Sequence, residues 1–211
     1  AGRVGLVQLL PFSLRELRDA GVQPETLDAL LWRGGYPPIH DRALDPADWL
    51  ANYVATYLER DVRQRLAVKD LGLFQRFVKL CAARTGQILN LSALGADCGI
   101  AHVTAREWLG VLEASYLVTL LRPYHRNYGK RLVKSPKLYF LDTGLAAYLL
   151  GIRDPASLDI HAQRGALFET LVVSELIKAR FNAGRSADIH FWRDSTGHEV
   201  DVLFEDAAGK L

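Results

Sequence analysis

The stretch AHVTAREWLGVLEASYLVTLLRPY, residues 101–124, decides how the chain folds. Ala105, Trp108, Leu109 and Leu112 recur at spacings of three and four, which places them along the buried side of one helix. Leu117, Val118, Thr119, Leu120 and Leu121 then read as a strand leaving that helix, because β-branched and aliphatic residues suit a pleated, half-buried surface. Just upstream, DLGLFQRFVKLCAAR (70–84) has the pattern of an amphipathic helix. LSALGADCGI (91–100) reads as a short second helix, capped by Ser92 and broken at Gly99.

Helix, short helix, turn, helix and strand is the order of a winged helix, a helix-turn-helix variant in which the third helix enters the major groove. His102, Thr104 and Arg106 lie near the start of that helix and off its apolar side, so they are the candidate base-reading or phosphate-touching side chains. The segment that follows, RPYHRNYGKRLVKSPK (122–137), carries Arg122, Arg126, Lys130, Arg131, Lys134 and Lys137 and no acid. Tyr124, His125 and Tyr128 are interleaved with these, and Asn127 and Gly129 supply a turn. Such a segment reads as a basic wing that follows a phosphate backbone, with Arg126, Lys130, Arg131, Lys134 and Lys137 as its contacts. A solvated hairpin, or a surface docked on an acidic neighbouring domain, is the plainer alternative.

Composition narrows the class without naming a partner. The 211 residues are 49% hydrophobic, enough to fill real cores, and 26 Lys and Arg against 24 Asp and Glu leave a net charge of only +2. Cys81 and Cys98 form neither a disulfide framework nor a zinc pattern, which points to a reducing cytoplasm. No apolar run approaches the roughly 18 residues of a membrane span, so no membrane partner is expected. A homo-oligomer stays open.

Three regions follow from the pattern: residues 1–66 as a helical connector, 67–142 as the winged helix, and 143–211 as an α/β unit. In the first, Ser13 caps LRELRDAG with Glu16 completing a capping box. PETLDALLWRGG is a helix closed by Gly34 and Gly35, and Asp45 caps a third whose Trp49, Tyr53 and Tyr57 share a face. Glu59, Arg60 and Asp61 near its end read as a functional charge cluster or, more plainly, as a solvated helix end with local ion pairs. In the last region, KLYFLDTGLAAYLLG gives a strand and a helix capped by Asp142 or Thr143. AQRGALFETLVVSELIKARFNAG gives a helix of about five turns, and DIHFWR and HEVDVLF give two strands. Glu169 on the helix and Asp201 on the second strand are the natural acidic pair. The plainer reading pairs Glu169 with Arg164 or Lys178, and Asp201 with Arg193, while Glu175 is structural. The turn at 205–209 leads toward a further antiparallel strand beginning at Lys210 and Leu211, as in a hairpin cut partway.

The phrases LPFSLREL, WRGGYP, YLERDV, LSALG, WLGVLEASYLV, KRLVKSPKLYFLDTGLAAYL, GALFETLVVSEL and FWRDSTGHEVDVLF resemble, in order, one family of prokaryotic proteins. That family joins an AAA-type ATPase core to a C-terminal domain of unknown function. The resemblance implies that AGRVGLVQLLPFS is the exit from an upstream ATPase domain, that Arg3 is placed to sense a γ-phosphate, and that the full-length protein uses ATP and Mg²⁺. No G-x-x-x-x-G-K-[ST] loop occurs in these residues, so no cofactor is expected on the chain itself. The end of the chain also resembles the PD-(D/E)XK, restriction-endonuclease-like superfamily, including archaeal Holliday-junction resolvases, through Gly165, Glu169 and Asp201. That likeness implies a truncated α/β nuclease core in which Glu169 and Asp201 are metal ligands and catalytic residues once an acid-x-Lys strand follows. The expected fold class is thus mostly α with an α/β C-terminal part, and the expected function a DNA-binding module. The alternative is a nonenzymatic protein-interaction module switched by the ATPase.

Overall fold

The computed structural model describes residues 8–57, 70–124 and 134–204. It is a mixed α/β fold in which ten described helices surround a five-stranded mixed sheet.

The first helices form where the sequence caps them. Ser13 accepts from the Glu16 backbone N–H at 3.3 Å and Glu16 accepts from the Ser13 N–H at 2.8 Å, which closes the capping box of α1 (Leu14–Asp19). Helix α2 (Leu27–Arg33) starts later than the proline pattern indicates, because the Thr26 side chain caps it. A short α3 (Pro37–Asp41), absent from the sequence reading, leads to α4 (Pro46–Tyr57). Trp49 and Tyr53 of α4 stack at 5.1 Å between ring centroids, and Tyr36 packs on both.

In the middle of the chain, Asp70 caps α5 (Leu71–Ala82) and the short β1 (Gln87–Ile88) follows. Helix α6 (Leu91–Cys98) is capped by Asn90 rather than Ser92, since the Asn90 Oδ1 accepts from the Ala93 N–H at 3.0 Å. Gly99 ends it in a left-handed conformation, φ +81°, that a residue with a Cβ rarely adopts. Helix α7 (His102–Ala114) buries Ala105, Trp108, Leu109 and Leu112, the four positions its spacing marks. Trp108 meets Phe74 and Phe77 of α5 edge to face. Strands β2 (Val118–Pro123) and β3 (Lys137–Phe140) are antiparallel, with Val118 opposite Phe140 and Leu121 opposite Lys137.

The last part adds α8 (Thr143–Leu149), α9 (Pro155–Asp159), α10 (Arg164–Asn182), β4 (His190–Arg193) and β5 (Glu199–Leu203). Strand order is β1-β3-β2-β4-β5, and only β2 and β4 run parallel. The sheet therefore continues from the strands after α7 into the C-terminal unit without a break. A main core including Leu31, Phe74, Leu112, Phe140 and Leu171 joins α2, α5, α7, β3 and α10, and a smaller one lies around Tyr139, Val173, Ile177 and Phe191.

Two glycine motifs lock the connector to this frame. Asp142 caps α8 through Oδ1 to the Leu145 N–H, and its Oδ2 accepts from the Gly35 N–H at 2.7 Å. A Cβ at Gly34, where φ is +67°, would lie 2.4 Å from Asp142 Oδ1, and one at Gly144 would lie 2.7 Å from the Arg33 carbonyl. The pair Gly34 and Gly35 is thus a close-packing device as well as a helix stop. No described helix is long and apolar enough to cross a membrane.

Candidate functional site

The acidic pair picked from the sequence comes together, but around a lysine. Glu169 sits in the second turn of α10 and Asp201 in the middle of β5. Lys137, the first residue of β3, extends its Nζ to Glu169 at 2.8 Å, to Glu199 at 2.5 Å and to Asp201 at 3.2 Å. The three hydrogens of one ammonium match three carboxylates at charge-assisted hydrogen-bond distances. Below the ammonium lies the Phe191 ring, 5.6 Å from Nζ to its centroid. Tyr139, two residues along β3 and so on the same face, donates to Glu169 at 2.5 Å.

Burial and charge act on this cluster in opposite senses. Burial by itself lowers the Lys137 pKa, but hydrogen bonds to Glu169 and Glu199 and the Glu169 charge outweigh it, and the net direction is upward. The Tyr139 hydroxyl is pushed well above its ordinary range, first by burial and then by its bond to Glu169. Gly86 borders the cluster: a Cβ there would make an ordinary contact with Glu169 Oε2 at 3.4 Å, and it is the positive φ of +77° that favours glycine.

Lys137 is a correction to the basic-wing reading. It is 3% exposed, and its charge is spent on carboxylates rather than offered to a phosphate. The reason is its register: opposite both Leu121 and Ile88, it is held inside the sheet, while Lys134, three residues upstream, stays outside. Lys134 is exposed, and with Arg122, Pro136 and His190 it lines an open groove of about 540 Å³. On α7, His102 and Arg106 are exposed and Thr104 is half-buried. Arg126, Lys130 and Arg131 lie outside the described residues, as do Arg3, Glu59, Arg60, Asp61 and the turn at 205–209.

The plainer partners are used elsewhere. Arg164 pairs with Asp28 at 2.7 Å, Arg193 with Glu199 at 3.2 Å, and Lys178 with Glu175 at 3.0 Å. Glu175 is structural, accepting also from the Leu14 N–H. The sequence reading missed Glu199 and Tyr139. The period of two was the available signal: Glu199 with Asp201, and Lys137 with Tyr139, each fall on one face of a strand.

The nuclease likeness implies Mg²⁺ between Glu169 and Asp201, and the side chains of this chain do not fit it as they stand. Mg²⁺ needs oxygens at about 2.0–2.1 Å, and the point on which these oxygens converge is taken by Lys137 Nζ. Among the described residues no group of three or more His, Cys, Asp or Glu side chains is arranged to hold a metal ion.

The chain is 33% identical, over 97% of its length, to the uncharacterized protein Rv2008c of Mycobacterium tuberculosis and equally to the uncharacterized protein Mb2031c of Mycobacterium bovis. It spans about 45% of the length of each of these curated relatives. No solved structure is a significant match. A domain of unknown function, DUF4143, matches residues 164–211, beginning at α10. A second, DUF8612, matches residues 24–156, more than half of the chain and all of the region from α2 into α9. The chain therefore belongs to the DUF8612 family of domains of unknown function.

Proposed function

We propose that the chain is a nucleic-acid-binding part of an ATPase-associated protein, with α5 to β3 acting as a winged helix and α10 to β5 as a nuclease-like scaffold. The observation that carries the reading is the order α5, β1, α6, α7, β2, β3 with β3 between β1 and β2, and the exposed Arg122 and Lys134 flanking the β2–β3 connection. In this arrangement α7 presents His102 and Arg106 at its exposed start, and the groove beside Arg122, Lys134 and His190 follows a phosphate backbone. The ATPase association rests on the resemblance of the chain's motifs and on DUF4143, which commonly accompanies AAA-type ATPases. ATP and Mg²⁺ belong, on this reading, to residues of a longer protein.

The test is a salt titration of duplex-DNA binding by fluorescence anisotropy. Replacing Lys130, Arg131 and Lys134 together with Ala is expected to weaken binding and to reduce the salt slope by up to about 3, near one per lost phosphate contact. Unchanged affinity and slope would remove the basic segment from the contact surface. One observation favours a protein partner instead: Val103 is 64% exposed on α7, and Glu107 shares the helix's exposed side. Binding to a protein that is insensitive to salt, with no DNA binding, would select that second reading.

A further inference from the structure

The carboxylate cluster lies where the two family-matched segments meet. Lys137 belongs to the segment 24–156, and Glu169, Glu199 and Asp201 to the segment 164–211. The lysine cannot leave easily. Its backbone is bonded to strands on both sides, its side chain is buried, and its ammonium meets carboxylates in three directions and the Phe191 ring in another. Glu199 has a second cation in Arg193, so three negative charges face two positive ones. A divalent ion bound by Glu169 and Asp201 would have to occupy the same small volume as Nζ, beside a fixed positive charge.

We propose that Lys137 is the resident cation of this cluster, taking the place of the divalent ion that the nuclease likeness implies, so that the cluster is a metal-independent anchor joining β3 to α10 and β5. The inference concerns the carboxylates and stands whether or not the basic segment binds DNA. It gives the Lys137 side chain a use that excludes metal-ion chemistry at Glu169 and Asp201 while Nζ is in place. It also gives the Tyr139 hydrogen bond to Glu169 a use: the carboxylate is held to receive one ammonium.

Mn²⁺ is the probe, because free Mn²⁺ is counted directly by electron paramagnetic resonance. The wild-type chain and Asp201→Asn are expected to bind Mn²⁺ indistinguishably, and EDTA to leave the wild-type unfolding midpoint unchanged. Lys137→Met, which removes the cation and keeps the apolar stem, is expected to gain one Mn²⁺ site at least about tenfold tighter than any on the wild-type chain. That site should vanish in the Lys137→Met, Asp201→Asn double variant. A wild-type Mn²⁺ site lost in Asp201→Asn would overturn the proposal, as would a folded Lys137→Met that gains no site. If Lys137→Met does not fold, the comparison of wild type with Asp201→Asn decides by itself.

Discussion

At the scale of single residues, the balance of burial and pairing sets what each substitution costs. Lys137→Met leaves carboxylates without their cation, but Asp201 has 64% of its side chain exposed and can hydrate. The expected loss is therefore about 2–3 kcal/mol, below the 3–5 typical of a fully buried broken pair, and Asp201→Asn should cost less than Glu169→Gln. Urea unfolding of the three variants checks the order. The pH dependence has a definite sign. The folded pKa of Lys137 lies above its unfolded value of 10.5, so its stabilisation is complete below 10.5 and is lost as pH rises through the folded value. The stability gap between wild type and Lys137→Met should stay flat through neutral and mildly alkaline pH and narrow above 10.5. Glycines give a matched contrast. Gly34→Ala meets Asp142 Oδ1 at a positive φ and should destabilise by more than about 1 kcal/mol. Gly110→Ala, inside α7 with nothing within 4 Å, should stabilise by roughly 0.5–1 kcal/mol. Equal shifts in unfolding midpoint for the two would contradict this packing.

At the scale of elements, helix α7 begins at His102 with Ala101 as its N-cap residue, extended and exposed but supplying no side-chain hydrogen bond. Ala101→Asp should stabilise the chain by about 0.5–2 kcal/mol by supplying an acceptor for the first-turn N–H groups. A calorimetric midpoint that falls instead would mean this terminus is already satisfied. The elements themselves were largely legible. The α7 face, the Ser13 box, the Gly99 stop and strands β2 to β5 follow from spacing and capping chemistry, which are local. The short α3, β1 and α9 were not read, since elements of two to five residues carry too few positions to show a period. Lys137 illustrates a different limit. A basic run looks uniformly solvated in sequence, yet one register step into a sheet turns its last residue inward. Glu169 and Asp201 were legible as a pair, whereas their lysine, 32 residues before Glu169 in sequence, was visible only as part of the wing.

At the scale of the whole molecule, the region boundary drawn at residue 142 crosses a continuous sheet, a shared core and the Lys137 cluster. The described regions should therefore unfold in one cooperative transition, and residues 67–142 made alone should lack native stability. Two resolved calorimetric peaks for the full chain would contradict that. On the proposed reading, nucleic acid binds at the start of α7 and along the groove beside Lys134, while the Lys137 cluster is an anchor. The most direct test is amide chemical-shift mapping of the isotope-labelled chain with a short DNA duplex. The account predicts shifts at His102, Thr104, Arg106, Arg122 and Lys134, which fade with added salt, and unmoved amides at Glu169, Glu199 and Asp201. Shifts centred on α10 and β5, or none at the start of α7, would contradict it.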